Sequence, residues 1–137
     1  MREIKFRGSE KESNKWVFGY ARHWKCCYGD EWHIQGENDN VHIVIPETVG
    51  QFTGLKDHKG REIYEGDIVE ILPQFSAKQG LKRKFHLFAV VRWDERLARF
   101  VVISKEILDS IPDSECVSVI GNVHDTPELL TLGGFEK

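Results

Sequence analysis

Residues 85–93 decide the fold, and they read Phe85-His86-Leu87-Phe88-Ala89-Val90-Val91-Arg92-Trp93. Apolar side chains recur at every second position, which is the period of a β-strand and not of a helix. The pattern predicts nine residues of strand, with large rings such as Trp93 available to fill an interior. Short β-branched runs at 68–72, 100–103 and 117–120 predict further buried strands. The chain is therefore expected to be mainly β.

Two other segments alternate in the same way. Strands with one buried face show this period, so the apolar side of each segment is expected to face a core. Turn residues at 37–40 and 57–60 punctuate the strands, and Gly60 is expected to take the positive φ that closes the second turn. The side chains that share a face are Trp16, Phe18 and Tyr20 in the first segment and Val41, Ile43 and Ile45 in the second.

Helix signals are few. Thr126 followed by Pro127 predicts a short helix over residues 126–132, ended by Gly133-Gly134. Residues 104–111 have apolar side chains at helical spacing before Pro112, which predicts another turn or two. Many short strands with one or two short helices favour a small barrel or sandwich over an α/β sheet.

Length and charge limit the class of protein. The chain has 137 residues, the usual size of one domain, with 19 basic and 22 acidic residues and a formal net charge of −3. No whole-molecule field draws it to nucleic acid or anionic lipid, so any such binding must be local. The first seven residues carry charges where a signal peptide needs an apolar run. A cytoplasmic protein without a membrane span is expected.

Metal, cofactor and catalytic motifs are weak. His23, Cys26, Cys27 and His33 are possible zinc ligands, but adjacent cysteines do not easily reach one tetrahedral ion. The alternative is that they are ordinary strand and turn residues. The sequence contains no phosphate-binding glycine loop and no nucleophile elbow. We expect no metal, no cofactor and no enzyme activity.

A basic segment near residue 80 is the sharpest sign of nucleic acid. Charged loops beside aromatic side chains on small β-barrels commonly bind single strands, and Phe75 and Phe85 flank this segment. The alternative is a solvated loop that keeps a hairpin soluble. The candidate nucleic-acid-binding residues are Lys78, Lys82, Arg83 and Lys84.

Aromatic residues are numerous for a domain of this size, with eight Phe and four Trp. We expect Trp24, Trp32 and Phe52 to lie in an exposed patch that forms the interface of a homo-oligomer. The alternative is that these rings complete a second, smaller core beneath the loops of the amino-terminal third.

Three passages carry a family resemblance. The first is Ile4-Lys5-Phe6-Arg7-Gly8 with Trp16-Val17-Phe18-Gly19-Tyr20. The second joins Gln51-Phe52-Thr53-Gly54-Leu55-Lys56-Asp57 to Gly60-Arg61-Glu62-Ile63-Tyr64-Glu65-Gly66-Asp67-Ile68-Val69. The third is Val119-Ile120-Gly121-Asn122-Val123-His124-Asp125-Thr126-Pro127-Glu128-Leu129-Leu130. In this order they resemble the YopX family of phage and prophage proteins.

The resemblance implies a fold and no activity. It implies an SH3-like small barrel with additional strands, encoded by phages and prophages, that tends to self-associate. Residues 1–137 would form one domain, with a β part over about 1–55, the barrel over about 56–125 and the short helix over about 126–132. The predicted function is a non-enzymatic module that binds a macromolecule, either a host or phage protein or, as the alternative, nucleic acid through the basic loop. An enzyme or metal-binding protein is a third, less favoured alternative.

Overall fold

A computed structural model describes residues 3–27, 29–72, 75–76, 80–81, 87–104, 108–112 and 114–129. The chain divides into two compact units, residues 1–54 and residues 55–137. Each unit is built on antiparallel strands. The division into units does not test the single-domain organisation, which stays a prediction.

The first unit consists of consecutive strands joined by short turns. A 3₁₀ turn at Pro46–Thr48 follows the fourth strand. Neighbours are hydrogen-bonded in the order β4-β3-β2-β1-β5, and each pair within this order is antiparallel. The strands are β1 (Phe6–Ser9), β2 (Trp16–Cys26), β3 (Gly29–Gln35), β4 (Val41–Val44) and β5 (Gly50–Lys56).

The free edge of β4 is covered by the chain that follows β1. The backbone N–H of Lys11 donates to the carbonyl of Ile43 at 2.9 Å, and that of Ile45 donates to the carbonyl of Ser9 at 2.9 Å. The side chain of Val44 on β4 is buried against β1. A Cβ added to Gly8 would lie 3.0 Å from the Val44 side chain. The strands of this unit therefore curl until β1 reaches β4.

The second unit contains a five-stranded antiparallel sheet in the order β12-β11-β10-β7-β13. A separate two-stranded ribbon pairs β8 with β9, and a 3₁₀ turn at Ser114–Cys116 precedes the last strand. The strands are β6 (Glu62–Tyr64), β7 (Asp67–Ile71), β8 (Phe75–Ser76), β9 (Gly80–Leu81), β10 (Leu87–Asp94), β11 (Arg99–Ile103), β12 (Leu108–Ser110) and β13 (Val117–Asn122).

The core of this unit is aliphatic. Its buried members are Ile63, Val69, Ile71, Ala89, Val91, Val102 and Val117. The expectation that the rings of β10 fill an interior is wrong for Trp93, which is 44% exposed and packs edge-to-face on Phe100 at 4.9 Å. Trp93 stands next to the last residue of β10 and the turn at 95–98, beyond the aliphatic cluster that contains Ala89 and Val91.

The mainly β class is confirmed, and the five-stranded sheet of the second unit is open. Strands β12 and β13 stand at the two edges of the second sheet, so the closed SH3-like barrel stays a prediction. The helical turn predicted within 104–111 is wrong where the structure describes it, because residues 108–110 form strand β12, in which Leu108 pairs with Ile103. Residues 128 and 129 are helical, and 130–132 lie outside the described residues.

Candidate functional site

The basic loop predicted from the sequence cannot be placed. Its four charged residues, Lys78, Lys82, Arg83 and Lys84, all lie outside the described residues, as does the flanking Phe85. Their part in nucleic-acid binding stays a prediction.

The three rings predicted to share an exposed patch do not share one. Trp24 is 50% exposed, but the β2–β3 register pairs Trp24 with Glu31 and His23 with Trp32, which places the two indoles on opposite faces of the hairpin. Trp32 is half-buried and stacks on His23 at 4.7 Å. Phe52 is only 5% exposed, because its strand pairs with β1 and the Lys5 ammonium lies 5.3 Å from its ring. Of the three, Trp24 alone is available on the surface.

Trp24 belongs to a larger apolar surface, which we call the outer face. Alternate residues of β2 point to this side, and Phe18 and Tyr20 are 45% and 70% exposed. The strand registers align them with the outward residues of β3 and β4. Its members are Phe18, Tyr20, Arg22 and Trp24 on β2, Glu31, His33 and Gln35 on β3, and Val41 and Ile43 on β4.

The outer face corrects a prediction about which side of these strands is buried. The sequence favoured burial of Phe18, Tyr20, Val41 and Ile43, yet all four are more than two-fifths exposed. The buried side of the unit is instead formed by residues such as Ile34 on β3. Five large apolar side chains, counting Trp24, thus stand in solvent on one sheet face, and soluble monomers rarely expose such a contiguous patch without a use for it.

The polar residues of the outer face are arranged around Trp24. The Arg22 guanidinium lies over its ring at 6.0 Å from the centroid, and the His33 ring lies parallel to it, 6.5 Å away with planes 10° apart. His33 Nε2 is 3.5 Å from a carboxylate oxygen of Glu31. A cation and a carboxylate therefore flank the indole on two sides.

A shallow depression lies on the β2 side of this surface. It has a volume of about 300 Å³ and is lined by Tyr20, Ala21, Arg22, His33 and Gln35. The lining combines one aromatic ring, one fixed positive charge, an imidazole and an amide. These groups can stack on a planar ligand and exchange hydrogen bonds with its edge.

A second depression, of about 280 Å³, lies at the β4 edge. Glu10 lines it; one carboxylate oxygen accepts from Ser13 Oγ at 2.6 Å and the other contacts His42 Nδ1. The hydrogen bond from Ser13 and then that from His42 hold the pKa of Glu10 below its usual range. These hydrogen bonds join the β1–β2 turn to β4, so the Glu10 network has a structural role.

In the second unit, the turn at residues 57–61 is held to strand β13 by hydrogen bonds between side chains and backbone. Asp57 is buried; one carboxylate oxygen accepts from the backbone N–H groups of Lys59 and Arg61, and the other accepts from Val119 N–H at 2.9 Å. Burial by itself raises the pKa of Asp57, but these three hydrogen bonds outweigh it and the pKa is lowered. Arg61 Nη1 donates back to the Val119 carbonyl at 2.9 Å.

Val119 sits at a β-bulge, where the pairing with β7 skips one residue before Gly121. Asp57 and Arg61 therefore satisfy backbone groups at a point where the ladder is interrupted. The third passage of the family resemblance, residues 119–130, contains a similar arrangement. In the turn that follows β13, Asn122 Oδ1 accepts hydrogen bonds from the N–H groups of His124 and Asp125 at 2.9 Å. These polar residues are committed to backbone support.

Sequence reasoning missed the outer face as a surface. A usable signal was present on β2, where the positions between the rings include Gly19 and Ala21. Small residues on one side of a strand indicate close approach of another backbone. A Cβ on Gly19 would lie 1.9 Å from the Gln35 carbonyl oxygen. The side of β2 that carries the small residues is therefore the covered side, and the aromatic rings lie on the solvent side.

Within the described ranges no group of three or more His, Cys, Asp or Glu is placed to hold a metal ion. Cys27 is exposed and free. No helix in the described part of the chain is long and apolar enough to cross a membrane.

Comparisons with known proteins point to one family. The chain is similar to protein EF1440 from Enterococcus faecalis, whose crystal structure superposes with a TM-score of 0.53 at 22% identity, covering 95% of this chain and 99% of that one. At this identity the likeness concerns the fold alone. A comparison with curated proteins finds no match. The family model described as YopX protein matches residues 5–131, nearly the whole sequence. The chain therefore belongs to the YopX protein family.

Proposed function

We propose that this protein is a non-enzymatic module that binds macromolecules through the outer face of β2, β3 and β4. One observation carries the proposal: five large apolar side chains stand between 43% and 70% exposed on a single sheet face, with Arg22 and His33 among them. Trp, Tyr and Arg are the residues that contribute most to protein interfaces, and charges are few in the centre of such patches.

The carboxylates of the second unit support a binding role over catalysis. Asp57, Asp67 and Asp94 each accept hydrogen bonds from backbone N–H groups. For Asp57 these bonds outweigh burial and lower its pKa, so this carboxylate is a poor general base. The resemblance to phage and prophage proteins supports a role in the bacterial cytoplasm during the life of a phage.

We further propose that the aliphatic half of the outer face, Val41 and Ile43 on β4, contacts a second copy of the chain. Aliphatic side chains offer neither stacking nor hydrogen bonds, so a protein surface suits them best. The backbone edge of β4 is already bonded to Ser9 and Lys11. Contact through side chains is therefore favoured over addition of a strand at this edge.

Sedimentation velocity over a range of protein concentrations tests this proposal. Threonine keeps the β-branched shape that a strand favours while removing apolar surface, so the variant to use is Val41→Thr/Ile43→Thr. We expect its self-association to be at least about tenfold weaker than that of the wild type. Leu108→Thr is the matched control, because Leu108 is a 50% exposed aliphatic residue on another edge strand. A double variant that assembles like the wild type would contradict the proposal.

A further inference from the structure

We propose that the aromatic half of the outer face binds single-stranded nucleic acid. This half consists of Phe18, Tyr20, Arg22 and Trp24 on β2 with His33 and Gln35 on β3. The inference rests on the proposed function, because it takes the outer face as the contact surface and names its partner. It differs from the sequence prediction, which placed nucleic acid on residues 78–84.

The spacing of the rings determines the form of the ligand. On one side of β2, Phe18 and Tyr20 are two residues and therefore about 7 Å apart, and Tyr20 and Trp24 are four residues and about 14 Å apart. Bases within a duplex strand rise by about 3.4 Å and remain stacked on one another. Rings this far apart can each take a base only when the bases are splayed, and single strands alone offer that arrangement.

Arg22 supplies the charge. It lies between Tyr20 and Trp24 on the same side of β2, with its guanidinium 6.0 Å from the Trp24 centroid. Among the described residues it has no carboxylate partner, so its charge is available to a phosphate. An arginine beside stacked rings is the arrangement by which sequence-tolerant proteins hold the backbone and the bases together.

The depression beside Tyr20 supplies hydrogen bonds. Its lining includes Arg22, His33 and Gln35. Gln35 Nε2 is 3.4 Å from Asp39 Oδ1, a contact that orients the amide and leaves its Oε1 for a ligand. A base lying against the Tyr20 ring would present its edge to these groups, whereas an aliphatic protein side chain would leave them unsatisfied.

Glu31 gives the proposal its sharpest test. It lies opposite Trp24 in the β2–β3 register and 3.5 Å from His33 Nε2, so it borders the aromatic half with a negative charge. A polyanion is repelled by this carboxylate, whereas a cationic protein surface is attracted to it. The isosteric change Glu31→Gln therefore has opposite effects on the two classes of partner.

The experiment is fluorescence anisotropy of labelled single strands of about 12 nucleotides, with a duplex of the same sequence for comparison. We expect Tyr20→Thr and Trp24→Thr each to weaken single-strand binding by roughly 5- to 100-fold. Glu31→Gln tightens it, and Arg22→Gln lowers the salt dependence by about 0.7 per phosphate contact. Trp93→Thr is the matched control, since Trp93 is 44% exposed on the other unit and its loss leaves affinity unchanged. Circular dichroism and thermal midpoints establish that each variant is folded.

Several results would overturn the inference. They are no single-strand binding by the wild type at low salt, equal affinity for the duplex, or full affinity in Tyr20→Thr and Trp24→Thr. A loss confined to alanine variants of Lys82, Arg83 and Lys84 would move the site to the basic loop. If oligonucleotides fail while Val41→Thr/Ile43→Thr still reduces self-association, only this inference falls. If variants in both halves leave every interaction unchanged, the proposed function falls with it.

Discussion

The carboxylate of Asp57 accepts a hydrogen bond from the backbone N–H of Val119, 62 residues away in the sequence, at 2.9 Å. The same carboxylate orders its own turn through the N–H groups of Lys59 and Arg61. One buried side chain thus holds the 57–61 turn against the bulge of β13. The two contacts use different carboxylate oxygens, Oδ1 for the turn and Oδ2 for the bulge.

Replacing Asp57 by Asn is expected to destabilise the protein by about 1–3 kcal/mol. One amide oxygen can still accept from the turn, but the amide nitrogen then faces a backbone donor that loses its acceptor. Asp94→Asn is the control, because both turn hydrogen bonds of Asp94, from Arg96 and Leu97, go to a single oxygen. Urea unfolding measures both, and equal costs for the two variants would refute the account of Asp57.

The same contact predicts a dependence of stability on acid. Since the pKa of folded Asp57 is lowered, its contribution is present above the ordinary value near 4 and is lost as the pH falls through the folded pKa. The difference in unfolding free energy between wild type and Asp57→Asn should shrink from pH 6 to pH 3. A difference that stays constant across this range would mean that ionised Asp57 does not stabilise the fold.

Gly19 is predicted to tolerate no side chain. A Cβ there would lie 1.9 Å from the Gln35 carbonyl oxygen, which belongs to backbone and cannot rotate away. Gly19→Ala should cost about 3 kcal/mol or more and disturb the pairing that orients the rings of β2. Gly36→Ala is the control, because its Cβ would meet nothing closer than 3.7 Å. Thermal unfolding separates the two, and a mild effect of Gly19→Ala would count against the placement of β3 on β2.

The pKa of Glu10 offers a local check on the first unit. Its lowering is due first to the hydrogen bond from Ser13 and next to that from His42. Ser13→Ala should raise the pKa of Glu10 back toward its ordinary value, as followed by carboxyl ¹³C shifts in an NMR titration. Ser118→Ala on β13 serves as the control, and an unchanged Glu10 titration in Ser13→Ala would show that the hydrogen bond is not formed.

Local signals predicted a good part of the fold. The Asp57 to Gly60 turn was predictable because Asp can bond its own turn and Gly60 can take a positive φ, here +82°. The strand at 85–93 was predictable from its period; residues 87–94 form β10, and residues 85 and 86 lie outside the described residues. The acceptor role of Asp57 toward Val119 was not predictable, because it depends on where a strand 62 residues later comes to lie.

The candidate site was predictable only in part. Period two placed Phe18 and Tyr20 on one side of a strand, but the period does not say whether that side meets the core or solvent. Tertiary packing determines which side is buried, since the backbone near Gln35 covers Gly19 and leaves the rings of Phe18 and Tyr20 in solvent. Trp24 was predicted as a surface residue, whereas its neighbours Arg22 and His33 were not singled out as a group with it. Phe52 was misplaced because its burial depends on pairing between β1 and β5.

Hydroxyl-radical footprinting tests the central claim, that the outer face is the contact surface. Oxidation of Phe18, Tyr20, Trp24, Val41 and Ile43 would be compared between dilute and concentrated protein, and with and without single-stranded oligonucleotide. The exposed Trp93, Leu97 and Leu108 act as internal controls in the same sample. The account predicts protection of Val41 and Ile43 on self-association and of Tyr20 and Trp24 with oligonucleotide, while the controls stay reactive. Outer-face residues that remain as reactive as the controls under every condition would contradict it.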